Sequence, residues 1–400
     1  MARILLVVGA AGSRGGRRPA PDAWRAVPET ARPILRELVL HGPQSRTALA
    51  RSLGLSPGSL TRLTKPLVEA GLVVERGAVP HPVSGRPTRP LEVVADDLHF
   101  VGVTLTSSHV YGVLTNLRAD VVARESAPLA DLAPETVIAQ IGEVAERLSA
   151  RGRQPVAIGL GMGGNARTRA PVGEGELIDS GLLGWEQVPV SRMASERLGI
   201  PCTVRNDVTA LAYSHLWSKQ ARGLTDFAMV TVGDGLGYAL FLGGRAVRLT
   251  EAAIGDFGHQ ILTPDGPMCP AGHCGCAGAY LTKSSLMMTA AQGMRRFPTY
   301  SEVLELAGAG DRVCARAVQR AAWALGVLIA NVVNNTGVRT LVLAGEAIDV
   351  ARVARPELER GLAARHRNPE DIELTVQAHD FHDWARGAAV VAIRRHISDH

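Results

Sequence analysis

The chain has 400 residues, 46% hydrophobic and 20% charged, a balance that excludes wholesale disorder and leaves room for two or three domains. It contains no run of 18 apolar residues, so no membrane span is read from it. Its charge is uneven. Residues 1–95 hold 14 Lys and Arg against 6 Asp and Glu, whereas the remainder holds 29 against 32. A small basic segment on a mildly acidic body predicts a polyanionic partner for the former.

Taken in chain order, Met1 to Ala10 has a short apolar stretch that faintly imitates a signal peptide, followed by Arg-rich sequence. That combination favours a cytoplasmic protein, with residues 1–21 expected as a disordered extension. Thr30 to Leu40 places Ile34, Leu35, Leu38 and Val39 at helical spacing, and Gly42-Pro43 stops it. Ser45 caps a second helix, Arg46–Leu53. Ser56-Pro57 opens a third, Pro57–Ala70, with Pro66 inside it.

Two helices joined by a tight Gly-Leu-Ser turn predict a helix-turn-helix whose second helix enters a major groove. Ser59, Thr61, Arg62 and Lys65 are its exposed polar positions, and Leu60, Leu63 and Leu67 its inner face. Leu72–Arg76 and Pro90–Val94 read as strands flanking a wing that carries Arg86. Arg46, Ser59, Thr61, Arg62, Lys65 and Arg86 are the candidate DNA contacts, and residues 22–95 the expected DNA-binding domain. Such a module also serves dimerisation in other settings; the charge asymmetry favours DNA.

From residue 96 the composition alternates strands and helices, which predicts an α/β body. Phe100–Thr106, Val110–Thr115 and Val121–Glu125 suggest a meander, Pro134–Gly152 a helix, and Val156–Gly161 a buried strand. Val188–Leu198 reads as a helix, Cys202–Arg205 as a strand and Asp207–Ser218 as a helix. Phe227–Val232 and Tyr238–Leu242 open a second, similar unit, in which Leu325–Val333 is a buried helix and Thr340–Ala344 a buried strand. Two related halves imply two lobes and a ligand cleft between them.

Four segments of this body, behind its winged helix, resemble the ROK family of repressors, open reading frames and sugar kinases. They are Val204–Ala212 with Asn206-Asp207, Gly255–His259, the Cys269–Cys276 cluster, and Trp384–Ile393 with Gly387-Ala388-Ala389. The resemblance implies a two-lobe actin-like (ribonuclease H-like) sugar-kinase fold over residues 96–400. It also implies that Asn206, Asp207, Asp256 and His259 face a sugar. In a kinase Asp207 would be the general base; locally, Asn-Asp is equally a helix cap.

The departures from the family pattern shape the expected function. Where family kinases carry Asp-x-Gly-Gly-Thr, this chain has Thr104, Thr106, Ser107 and Ser108, whose side chains stand where phosphate would meet bare backbone. The family's Gly-Thr-Gly is Gly233-Asp234-Gly235, which sets a carboxylate beside a triphosphate. One pocket glutamate becomes Asp256 and another Gly278. The middle family cysteine is Ala271, with His273 and Cys274 near enough to substitute, so the expected zinc set is His259, Cys269, Cys274 and Cys276.

The resulting expectation is a DNA-binding transcriptional regulator, a repressor of carbohydrate-related genes, that neither binds ATP productively nor catalyses. It would bind an inverted-repeat operator as a homodimer or homotetramer, with the apolar Trp323–Val333 helix as an interface, and take a sugar-type effector. An active sugar kinase with a regulatory DNA domain, and a regulator without a small-molecule effector, are the alternatives.

Overall fold

The computed structural model describes residues 27–398 except 81–86, 151, 168–176, 219–220, 222, 248 and 250–254. The chain forms two compact units. One ends at Leu98 and takes in Asn116–Arg118 and His396 onward; the other comprises His99–Thr115 and Ala119–Arg395. The expected extension at residues 1–21 lies outside the described residues.

In the first unit, α1 (Arg32–His41) buries Ile34, Leu35, Leu38 and Val39, the four positions spaced for one helical face. Next come α2 (Arg46–Ser52) and α3 (Pro57–Glu69). Each N-cap is a serine whose hydroxyl accepts a first-turn N–H: Ser45 from Ala48 at 3.2 Å and Ser56 from Ser59 at 3.1 Å. Leu60, Thr64 and Leu67 are the buried positions of α3; Leu63 is half-buried. Strand β1 (Val73–Glu75) pairs antiparallel with a later strand, Leu91–Val93. Between them β2 (Val79–Pro80) and β3 (Pro87–Thr88) form the stem of the wing, and Leu91–Val93 is β4. Glu92 is buried and ion-paired to Arg76 and Arg118, as a buried carboxylate requires.

The second unit contains two five-stranded sheets of the same topology. In the first, β5 (His99–Leu105), β6 (His109–Asn116), β7 (Val121–Pro128), β8 (Pro155–Met162) and β12 (Cys202–Asn206) lie in the order β12-β8-β5-β6-β7. In the second, β13 (Phe227–Val232), β14 (Leu236–Leu242), β15 (Arg245–Ala246), β16 (Thr340–Ala344) and β17 (Glu373–Val376) lie in the order β15-β14-β13-β16-β17. In each, the first strand pairs in parallel with the fourth, and the fourth with the fifth. The antiparallel hairpins account for the alternating sequence at the edges, and the parallel pairs for the unbroken apolar runs.

Helices α4 (Pro134–Ser149), α5 (Val190–Leu198) and α6 (Asp207–Leu216) accompany the first sheet. Helix α5 starts two positions later than the sequence pattern suggests because Trp185–Val188 forms a strand, β11, and Pro189 sits at the N-cap. That strand joins a small three-stranded sheet, with β9 (Asn165–Arg167) and β10 (Leu177–Ser180), that periodicity did not reveal.

The C-terminal helix Phe381–Ser398 lies so close to the first sheet that a Cβ on Gly102 would meet the Ala385 carbonyl at 2.0 Å. A Cβ on Gly159 would meet that of Ala388 at 1.9 Å. The Gly and Ala positions are therefore a packing requirement.

Helix Arg312–Thr336 is far longer than the buried stretch read from sequence, and it corrects the expectation of an oligomer interface. It is apolar and long enough to cross a membrane, yet 67% of its most apolar window is buried inside the protein. Gly326 and Gly361 let it meet helix Arg355–Ala363 closely: added Cβ atoms would lie 2.0 Å from the Leu358 carbonyl and 2.1 Å from that of Trp323. The chain covers this apolar face with its own helix.

Candidate functional site

Helix α3 presents Thr61, Arg62 and Lys65 to solvent and holds Ser59 half-buried. The Thr61 hydroxyl donates to the Pro57 carbonyl at 2.9 Å, leaving its oxygen lone pairs and methyl outward. Lys65 lies 3.8 Å from Glu69, an exposed pair whose worth is small and which a phosphate can displace. Arg46, on α2, is ion-paired to Glu75. Arg86 lies outside the described residues.

The second unit holds a cavity of about 700 Å³. It is lined by the ends of β5, β8, β12, β13 and β16, where carboxyl ends of parallel strands open a crevice. Asn206, Asp207 and His259 line it as expected, whereas Asp256 is exposed on the turn Asp256–His259 and stands outside the lining. Asn206 caps α6: its Oδ1 accepts from the N–H groups of Val208 and Thr209 at 3.1 and 3.2 Å, and its Nδ2 donates to Gly164 at 3.4 Å. That side chain is thus spent largely on local structure.

Asp207 follows it. Its Oδ1 accepts from the Val208 N–H at 2.8 Å. Burial pushes its carboxyl up to about 6, against the pull of that hydrogen bond.

The two turns that would flank a phosphate are both occupied. In the first, Thr106 Oγ1 accepts from the N–H groups of Ser108 at 3.3 Å and His109 at 3.0 Å, donors that a phosphate would otherwise use. Thr104, where the family has its aspartate, is buried and donates to the Gly161 carbonyl at 3.1 Å.

The second turn is tied by an ion triad that sequence reading missed. Lys283 Nζ lies 2.9 Å from Asp234 and 2.8 Å from Glu346. Burial pulls the Lys283 ammonium down, but the bonds to Glu346 and Asp234 outweigh it and hold the group above its usual range. Glu346 follows Gly345, whose φ of +103° and close approach to the Val232 carbonyl admit only glycine. The one sequence cue to this triad was the acidic Asp234 itself; Lys283 and Glu346 are 63 residues apart and meet only in the fold.

His379, Phe381 and Trp384 form an aromatic side of the same cavity. Burial pulls the His379 imidazole below its usual range, against the nearby carboxylates of Glu346 and Asp380.

Among the described residues, His259, Cys269 and His273 offer ligand atoms all within 4.8 Å of one another. Cys269 Sγ is 3.7 and 3.6 Å from the Nδ1 atoms of His259 and His273, which are themselves 3.1 Å apart. These separations fit donors at the corners of a tetrahedron around zinc. Cys276 is buried beside Cys269 and interacts with it through its side chain. Burial pushes Cys269 up, but N–H groups of the Cys269–His273 loop and the Cys276 side chain bring the thiol below its usual range. Cys274, expected as a ligand, is exposed and outside this group. Cys274 pairs with Met268 through its backbone, and it is the neighbouring His273, itself exposed, whose ring nitrogen approaches Cys269 and His259.

Comparison with known proteins agrees with this architecture. A winged helix-turn-helix DNA-binding model matches residues 29–74. The xylose repressor of Caldicellulosiruptor bescii is 23% identical over 89% of this chain and 92% of its own length. The Escherichia coli K12 DNA-binding transcriptional dual regulator NagC is 24% identical over 82% of each. The crystal structure of a ROK family transcriptional regulator, a homologue of the E. coli Mlc protein, superposes with a TM-score of 0.78. It is 19% identical and covers 93% of this chain and 96% of its own. A ROK hexokinase from Thermus thermophilus matches 74% of this chain and 99% of its own, at 25% identity and a TM-score of 0.63. The ROK family model itself spans residues 100–395, and the chain, a winged helix followed by that body, belongs to the ROK family.

Proposed function

We propose that this chain is a DNA-binding transcriptional regulator, a repressor of carbohydrate-related genes, whose kinase-like body serves as an effector pocket and not as a phosphotransferase. The observation that carries this reading is the coexistence of a basic winged helix with a cavity whose phosphate turns are filled by the chain's own groups. Curated relatives that cover most of the chain are repressors named for xylose and N-acetylglucosamine. A sugar-type ligand on Asp207 and His259 is the corresponding proposal here, with DNA read by Thr61, Arg62 and Lys65 and positioned by Arg46, Ser59 and Arg86.

The regulator acts as a two-fold symmetric homo-oligomer on an inverted repeat. The effector changes DNA affinity only through its unequal affinity for the two states of the body. Such a protein works in the cytoplasm, where the DNA is. Zinc held by His259, Cys269, His273 and the adjacent Cys276 would have a structural role: as a bound cation it would fix the loop that presents His259 to the cavity.

Fluorescence anisotropy with labelled DNA from the gene's own upstream region, at fixed salt, tests the reading. Specific binding weakened by one sugar supports it; the absence of specific binding sinks it. One observation favours an active kinase instead: Asp207, raised to about 6, is suited to act as a general base. Sugar-dependent ATP turnover by the purified protein would decide for that alternative.

A further inference from the structure

The cavity is walled by acid. Asp207, Asp234 and Glu346 line it, and among the described lining residues there is no Lys or Arg. The nearest ammonium, Lys283, is committed to both Asp234 and Glu346. Burial disfavours the charged form of His379, and the turn N–H groups of Ser108 and His109 are held by Thr106. Among the described residues, the cavity therefore offers a phosphate no uncommitted Lys or Arg, and its first turn no free N–H at Ser108 or His109.

It offers a sugar a good deal. Each carboxylate has lone pairs beyond those used by its partners, and carboxylate–hydroxyl bonds are charge-assisted. Phe381 and Trp384 add apolar surface to its lining.

We propose that the cavity selects an unphosphorylated sugar and excludes the corresponding phosphate ester, with Asp234 and Glu346 acting as the specificity determinants and Lys283 as their internal counter-ion. The proposal rests on the effector reading above. A phosphate dianion entering this cleft meets like charge at short range and in reduced dielectric, a juxtaposition that costs more than hydroxyl contacts return. A sugar hydroxyl meets acceptors already oriented by Lys283.

The test is calorimetric titration of the full-length protein with matched pairs at fixed salt: glucose and glucose 6-phosphate, N-acetylglucosamine and its 6-phosphate, xylose and its 5-phosphate. For the sugar that binds, the free form is expected to bind tighter than its ester by roughly tenfold or more. In the double variant Asp234→Asn, Glu346→Gln the gap narrows or reverses, because Lys283 becomes an uncompensated cation. Glu346→Gln alone, which leaves the Asp234–Lys283 pair intact, narrows it less and serves if the double variant does not fold.

An ester that binds wild type as tightly as its free sugar overturns the proposal and leaves the effector reading standing. Tripolyphosphate is the second probe. Its binding to wild type overturns anion exclusion. Exclusion by wild type with uptake by the double variant supports the charge argument even where no sugar in the panel binds, an outcome that would count against the effector reading alone.

Discussion

Asp207→Asn is the most informative substitution. Asparagine keeps the acceptor that Val208 N–H uses and removes the charge of this half-buried side chain. Burial raises the Asp207 carboxyl from 3.8 to about 6. A carboxyl displaced that far costs about 3 kcal/mol of folding free energy when it ionises in the native state. The sign follows from which state holds the proton. Below 3.8 both states are protonated and nothing is lost. Between 3.8 and about 6 the unfolded chain has released its proton and the folded one has not, so stability falls as pH rises. Above about 6 the loss is complete. Asp207→Asn should therefore match wild type at about pH 4 and exceed it by up to about 3 kcal/mol at about pH 7.5. Denaturant titration following the transition of the body, at intervals between about pH 4 and 8, measures this. A difference that is constant across that range would refute the assignment of Asp207 as a desolvated carboxylate. The same variant should lose sugar-dependent release from DNA.

Four further expectations concern other parts of the chain. Arg62→Ala and Lys65→Ala should each weaken operator binding and shallow its salt dependence by about one released counter-ion, read as the slope of log affinity against log salt. Ser56→Ala should cost the first unit about 1 kcal/mol through the lost cap of α3, visible as a lower melting temperature of that unit. His273→Ala should lower zinc content by elemental analysis after metal-replete expression, whereas Cys274→Ser should not; equal losses would contradict the ligand set. Gly326→Val should destabilise by at least about 1–3 kcal/mol, since its first carbon already falls 2.0 Å from the Leu358 carbonyl; an unchanged unfolding midpoint would show that the helix pair can separate freely.

The sequence by itself determined what depends on neighbours along the chain. Helical spacing and serine caps defined α1 to α3, because capping and facing are settled within four residues. Unbroken apolar runs marked β8, β13 and β16, because strands buried on both faces need no alternation. The Asn206-Asp207 pair and the cysteine cluster were legible as motifs, along with the anomalous Asp234.

What the tertiary structure alone decided depends on residues distant in sequence. It turned the Trp323–Val333 stretch from an expected interface into core, because only the fold brings Gly361 against it. It set Asp256 outside the cavity, since a short helical turn points that side chain to solvent. It brought His273, and not Cys274, within reach of Cys269 and His259, because the path of the loop decides which side chain approaches them. And it assembled Asp234, Lys283 and Glu346 from three separate segments. No local pattern encodes such a meeting: the attraction between these charges acts only once strand pairing has brought their backbones within reach.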